Sequence, residues 1–160
     1  MFNNNNKSMN KKVISLFFLL LFVICSYAQT ESISRVYRWN SYRTVSNNYN
    51  TSRSYSQRGS KVVYYTCGGK EYIRITGYDG GDKIWYEGKV VDKKPKSING
   101  NEECYVYLFL NEYSTWKSFI QLFEIYDITK SRSTPIRFLV HQSDLNGNFQ
   151  TGRILEDISQ

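Results

Sequence analysis

From Lys61 onward the chain repeats one pattern: short runs in which apolar and polar positions alternate, separated by polar breaks that contain glycine. Alternation with a period of two puts every second side chain on the same face of an extended strand. Lys61 to Thr66 and Lys70 to Thr76 are two such runs, with Ile73 and Ile75 on one face and Cys67-Gly68-Gly69 between them. That arrangement predicts a hairpin. Asp79-Gly80-Gly81-Asp82 supplies a second turn, because glycine enters positive φ at no steric cost, and it leads into Lys83 to Val91. Here Ile84, Tyr86 and Val90 alternate with Lys83, Glu87 and Lys89, so one face is expected to be buried and the other wet. Strict alternation puts Trp85 on the face opposite Ile84 and Tyr86, beside the charged residues.

A polar connection from Lys93 to Asn101, containing Asn99-Gly100, precedes Glu103 to Leu110. That run is apolar on both faces and is expected as the most central strand. Pro135 to His141 and Phe149 to Leu155 read as a further hairpin around Asn146-Gly147. Trp116 to Tyr126 fits two elements. Trp116, Phe119, Ile120, Phe123 and Tyr126 form a helical stripe that Ser114 or Thr115 would cap, while the β-branched and aromatic content favours a strand. Connections this short make consecutive strands antiparallel neighbours. The expected fold is mainly β: a meander of about seven to eight strands, forming a small barrel or a two-layer sandwich, with residues 115–126 as the one possible helix.

Two segments depart from the pattern. Lys7, Lys11 and Lys12 precede an apolar run from Val13 to Cys25, and Ser26-Tyr27-Ala28 follows. This order is that of a cleavable signal peptide, residues 1–28, with the mature chain starting at Gln29. The apolar run is shorter than the roughly 20 residues a membrane span requires, so no transmembrane anchor is expected in the mature chain. The expected location is secreted or periplasmic. Residues 32–60 contain Ile33, Val36 and Val45 as their only aliphatic residues, with Arg35, Arg38, Arg43, Arg53 and Arg58 interleaved with Tyr37, Trp39, Tyr42, Tyr49 and Tyr55. Residues 29–60 are therefore expected as a polar arm or edge strands, and 61–160 as the β domain.

Composition adds three constraints. About 130 residues remain after the leader, the size of one domain. Three of the 21 basic residues lie in the leader, so the mature chain holds 18 basic and 14 acidic residues, a net charge of +4. With export, that mild excess gives no reason to expect a nucleic-acid partner. Cys67 and Cys104 form an even pair in an oxidising compartment and are expected as a disulfide. Its loop of about 37 residues would stabilise the fold by roughly 3 to 4 kcal/mol in the chain-entropy model.

Arginine and aromatic side chains interleaved on an extended segment suit an anionic polymer, offering donor forks and flat faces together. Arg35, Arg38, Trp39 and Arg43 are the candidate ligand-binding residues, with Trp85 as a sugar-stacking platform. Catalytic groups are not singled out. His141, the only histidine, has Ser143 and Asp144 beside it on one strand end, which does not make a converging triad, and no Gly-x-Ser-x-Gly elbow occurs. One histidine and two cysteines are too few for a zinc site, and Asp79 and Asp82 match no complete calcium loop. No metal or cofactor is expected. Asn50-Thr51-Ser52 is a glycosylation acceptor pattern in a eukaryotic source. The function expected is an exported, non-catalytic binding or interaction module for an anionic polysaccharide or an envelope protein. The alternatives are a lipocalin-like barrel carrying a small apolar ligand and, last, a hydrolase.

Overall fold

The computed structural model describes residues 30–45, 55–78, 82–97, 100–130 and 133–160. The expected signal peptide, the Asn50 pattern and the turn expected at Asp79-Gly80-Gly81 lie outside the described residues. The described chain is built of strands: β1 (Ser32–Val45), β2 (Tyr55–Cys67), β3 (Lys70–Tyr78), β4 (Asp82–Ser97), β5 (Glu102–Leu110), β6 (Phe119–Asp127), β7 (Arg137–Ser143) and β8 (Phe149–Glu156). Each pairs antiparallel with the next, and β1 pairs with β8, so the meander closes into an uneven barrel. The closing ladder from Ser41↔Glu156 to Val45↔Gly152 is short, and a separate bridge joins Arg38 to Ser159. No helix among the described residues is long and apolar enough to cross a membrane.

The glycine turns act as their positions require. Gly68 and Gly69 hold φ of 57° and 72°, the left-handed pair that a two-residue hairpin loop demands, and join β2 to β3. The segment 115–126, which also fitted a helix, instead leads into the strand β6, every position of which from Phe119 to Ile125 pairs on both sides with β5 and β7.

Two expectations are corrected. The segment expected as an arm or edge contains β1, which has neighbours on both sides and is a stave of the closed wall. Its core contribution is aromatic: Tyr37 and Trp39 are buried inside, and Tyr42 packs against them. The expected disulfide is absent, and Cys67 and Cys104 are both thiols. They sit on β2 and β5, with β3 and β4 between them. Three strand spacings amount to about 14 Å, well beyond the roughly 4.4–6.8 Å between α-carbons that a disulfide spans.

The barrel is filled through its middle. Trp39, Tyr64, Tyr107, Phe109, Phe138, and the aliphatic Ile73, Ile75, Ile120, Leu122 and Leu155 are all fully buried. Polar groups inside the wall gather toward its two ends.

Candidate functional site

One end of the barrel carries the β5–β6 connection, residues 111–118, and the β7–β8 turn. Just inside it, Trp85, Tyr86, Asn111, Gln142 and Arg153 line a pocket of about 270 Å³, with Lys83 and Ser114 at its rim. The local structure of β4 makes this pocket. Ile75 pairs with Tyr86 but the next residue, Thr76, pairs with Ile84, so Trp85 is the extra residue of a β-bulge. The bulge breaks the alternation and lets Trp85 turn inward beside Tyr86. Its ring lies 5.2 Å from that of Trp39 and 5.1 Å from that of Tyr42. Gly77 makes room for it: a β-carbon there would come within 1.9 Å of the Trp85 indole.

Arg153 enters the same pocket from β8. Its guanidinium stands 5.0 Å from the Trp85 ring centroid and 5.5 Å from that of Tyr86, and donates a hydrogen bond to the Tyr86 hydroxyl. The Tyr86 hydroxyl donates in turn to Gln142 Oε1 at 3.1 Å, and Gln142 Nε2 donates to Ser118 Oγ at 3.2 Å. Burial raises the Tyr86 pKa, against the pull of the Arg153 charge. The phenol therefore stays neutral and relays donors rather than charge. Arg153 has no carboxylate partner among the described residues. The connection beside it presents Tyr113, 54% exposed, and Trp116, 83% exposed, either side of the pocket-lining Ser114. An unpaired guanidinium on an aromatic floor, neutral donors and an exposed indole nearby can hold a carboxylate and stack a flat or sugar-like ring.

The opposite end has a different chemistry. Glu124 on β6 points inward and is fully buried, accepting from Arg35 Nη1 at 3.0 Å and from the Tyr126 hydroxyl at 2.6 Å. Arg35 Nη2 donates to the Tyr107 hydroxyl at 2.9 Å, and its guanidinium lies 4.1 Å from the Tyr64 ring centroid. Burial acts to lower the Arg35 pKa, but the Glu124 charge and the Tyr107 hydrogen bond outweigh it, so the guanidinium stays charged. Burial, with the Glu124 charge or hydrogen bond behind it, raises Tyr64, Tyr107 and Tyr126, keeping all three phenols neutral. This cluster pairs its one acid with one base at that end of the barrel, and leaves Glu124 Oε2 and the Tyr64 hydroxyl without hydrogen-bond partners among the described residues.

Comparison with protein-family models, with curated proteins and with solved structures finds no match.

The five candidate binding residues do not share a surface. Arg35, Trp39 and Trp85 face the interior, Arg35 at one end and Trp85 at the other, with Trp39 fully buried between. Arg38 is exposed on the outer wall, and Arg43 is held by Glu156, with Nε to Oε2 at 3.0 Å. Of the five, the pocket takes in Trp85 alone. Residue patterns missed Arg153, Gln142, Tyr113 and Trp116. Arg153 lies within the strand-like run Phe149 to Leu155, whose pattern does not single it out, and Trp116 is the first residue of the apolar stripe that fits a helix. The signal for Trp116 was its setting, flanked by Ser114, Thr115 and Lys117 in a polar break between two apolar runs.

Proposed function

We propose that the protein is an exported, non-catalytic binding module that recognises an acidic polysaccharide through the Trp85–Arg153 mouth of its barrel. The observation that carries this reading is Arg153, seated on Trp85 and Tyr86 with no carboxylate partner among the described residues, beside the exposed Trp116. A uronic acid unit would place its carboxylate on Arg153 and Lys83, its hydroxyls on Asn111 and Gln142, and a ring face on Trp116 or Tyr113. The signal-peptide pattern of residues 1–28 supports export, and with it an envelope or extracellular glycan as the ligand.

The test is a tryptophan-fluorescence titration of the exported protein with polygalacturonate and with a neutral glucan, at low and moderate salt. Saturable binding of polygalacturonate alone, weakened by salt, is expected. Trp116→Ala and Arg153→Met should each weaken it about tenfold, the loss of one stacking or charge-assisted contact. Absence of binding, or binding unchanged in both variants, overturns the reading.

A further inference from the structure

The outer wall of the barrel is divided. On β2–β4 it is charged, with Arg74 and Glu87 paired at 2.6 Å and Lys61 and Lys89 nearby in register. On β5–β8 it carries an apolar band, because β5 and β6 have apolar residues on both faces, bordered by the Arg137–Glu102 ion pair at 2.8 Å. Cys104, Phe123 and Ile125 form a second cluster there, with Val106, Ile136 and Leu139 packed on it. Two pockets open on this wall. One, of about 330 Å³, lies over Val106, Leu108 and Phe123 and is bounded on β4 by Asp92, Lys94, Pro95 and Lys96. The other, of about 360 Å³, lies over Leu108, Phe119, His141 and Phe149. They share Leu108 and Gln121, so they adjoin at the β5–β6 pair, and end to end they reach from β4 to β8 as a groove with Gln121 at its junction. Four strand spacings make it about 19 Å long.

The two ends of the groove differ in charge. At the β4 end, Lys94 is held by Asp92 at 2.7 Å, but Lys96 has no ion-pair partner among the described residues and its ammonium stands 5.4 Å from the Phe123 ring centroid. Toward β8 the groove is aromatic: the His141 ring lies edge-on between Phe123, at 5.1 Å, and Phe149, at 5.4 Å. Burial, and then the Lys96 charge, lower the His141 pKa. The imidazole is therefore neutral at physiological pH and adds no second cation to the apolar stretch.

We infer that this groove binds a free long-chain fatty acid, its carboxylate on Lys96 and its chain lying over Val106, Leu108 and Phe119 toward Phe149. One cation at one end of a long apolar trough complements one anion at one end of a long apolar chain. The site lies on the outside of the wall and is separate from the mouth at Arg153, so it neither needs nor excludes the polysaccharide reading. It places an apolar ligand outside the barrel, whose middle is occupied by its own side chains.

The experiment is titration of the exported protein with anthroyloxy-labelled stearate, followed by displacement with palmitate and with cetyltrimethylammonium. Saturable probe binding is expected, displaced by palmitate and not by the cationic amphiphile of similar tail. Lys96→Glu should weaken palmitate about tenfold, since it replaces an attraction by a repulsion. Gln121→Trp should abolish it by filling the junction of the two pockets, and because Gln121 is exposed on a strand this variant keeps its melting temperature. No saturable binding, equal displacement by both amphiphiles, or palmitate binding retained in Gln121→Trp each overturns the proposal. So does sedimentation with phosphatidylglycerol vesicles without binding of monomeric palmitate, which would make the wall a membrane-docking face.

Discussion

Arg35 Nη1 reaches across the inside of the barrel from β1 to Glu124 Oε1 on β6, 3.0 Å away, and Glu124 is fully buried while Arg35 keeps 35% of its side chain in water. The pair is thus asymmetric: the acid depends on the base far more than the base on the acid. Tyr126 supports the same oxygen, and Glu124 Oε2 has no hydrogen-bond partner among the described residues. Removing Arg35 leaves a buried carboxylate with one phenol to hold it.

Arg35→Met is accordingly expected to destabilise the fold by about 2–4 kcal/mol, somewhat below the loss for breaking a fully buried pair because water already screens Arg35. Glu124→Gln should cost less, since a neutral amide keeps acceptor capacity for Tyr126 and leaves Arg35 free to turn outward. The double variant should be more stable than Arg35→Met alone. Urea unfolding of the three variants measures this; equal losses for Arg35→Met and the double variant would show that the charge pair is not what matters.

How much of this was legible in the residues divides along physical lines. From Lys61 onward most of the wall was readable, because alternation with glycine breaks is a direct consequence of strand geometry; the exception is Lys93–Ser97, expected as a polar connection, which continues β4 against β5 because its charged side chains hide the alternation. β1 was not, because its inward residues are Arg35, Tyr37, Trp39 and Tyr42, where an aliphatic count sees only polar sequence. Its phase also shifts at a bulge between Trp39 and Ser41. The pocket at Trp85 was hidden for the same reason. A bulge at Trp85 turns two adjacent residues inward, and a period of two cannot represent that. Arg153 faces Trp85 across the barrel, a relation that only ring closure creates.

The cysteines give a second prediction. With both as thiols, the melting temperature of the protein without residues 1–28 should be the same with and without dithiothreitol, and its intact mass should show two alkylatable cysteines after denaturation. In the native state Cys67, half-buried, should react with a thiol reagent before the fully buried Cys104, whose pKa burial raises. A reductant-dependent melting temperature would mean that the chain reaches a bridged state.

Stability near neutral pH should carry a His141 signature. The native imidazole loses its proton below the ordinary value of 6.5, so between that depressed native value and 6.5 the unfolded chain binds more protons than the folded one. Stability therefore rises with pH through this window and levels off above it. His141→Phe should flatten that rise, read as the change in denaturation midpoint between mildly acidic and neutral buffer. Imidazole proton resonances of the native protein should titrate below 6.5; titration above it would contradict the placement of the ring between Phe123 and Phe149.

Gly77 offers the most direct test of the mouth. A β-carbon at this position falls within 1.9 Å of Cε2 and 2.1 Å of Cζ2 of Trp85, so any larger residue must displace the indole that floors the pocket. The backbone itself has no need of glycine there, because the position carries no positive φ. In Gly77→Val the strand should therefore form with Trp85 pushed toward solvent, red-shifting its emission, and Arg153 should lose its aromatic floor. Removing the indole first separates crowding from backbone effects. If Trp85→Ala together with Gly77→Val is more stable than Gly77→Val alone, and neither binds polygalacturonate, the close approach of Gly77 to Trp85 is what shapes the mouth. If Gly77→Val retains both its emission and its binding, Trp85 does not form that floor.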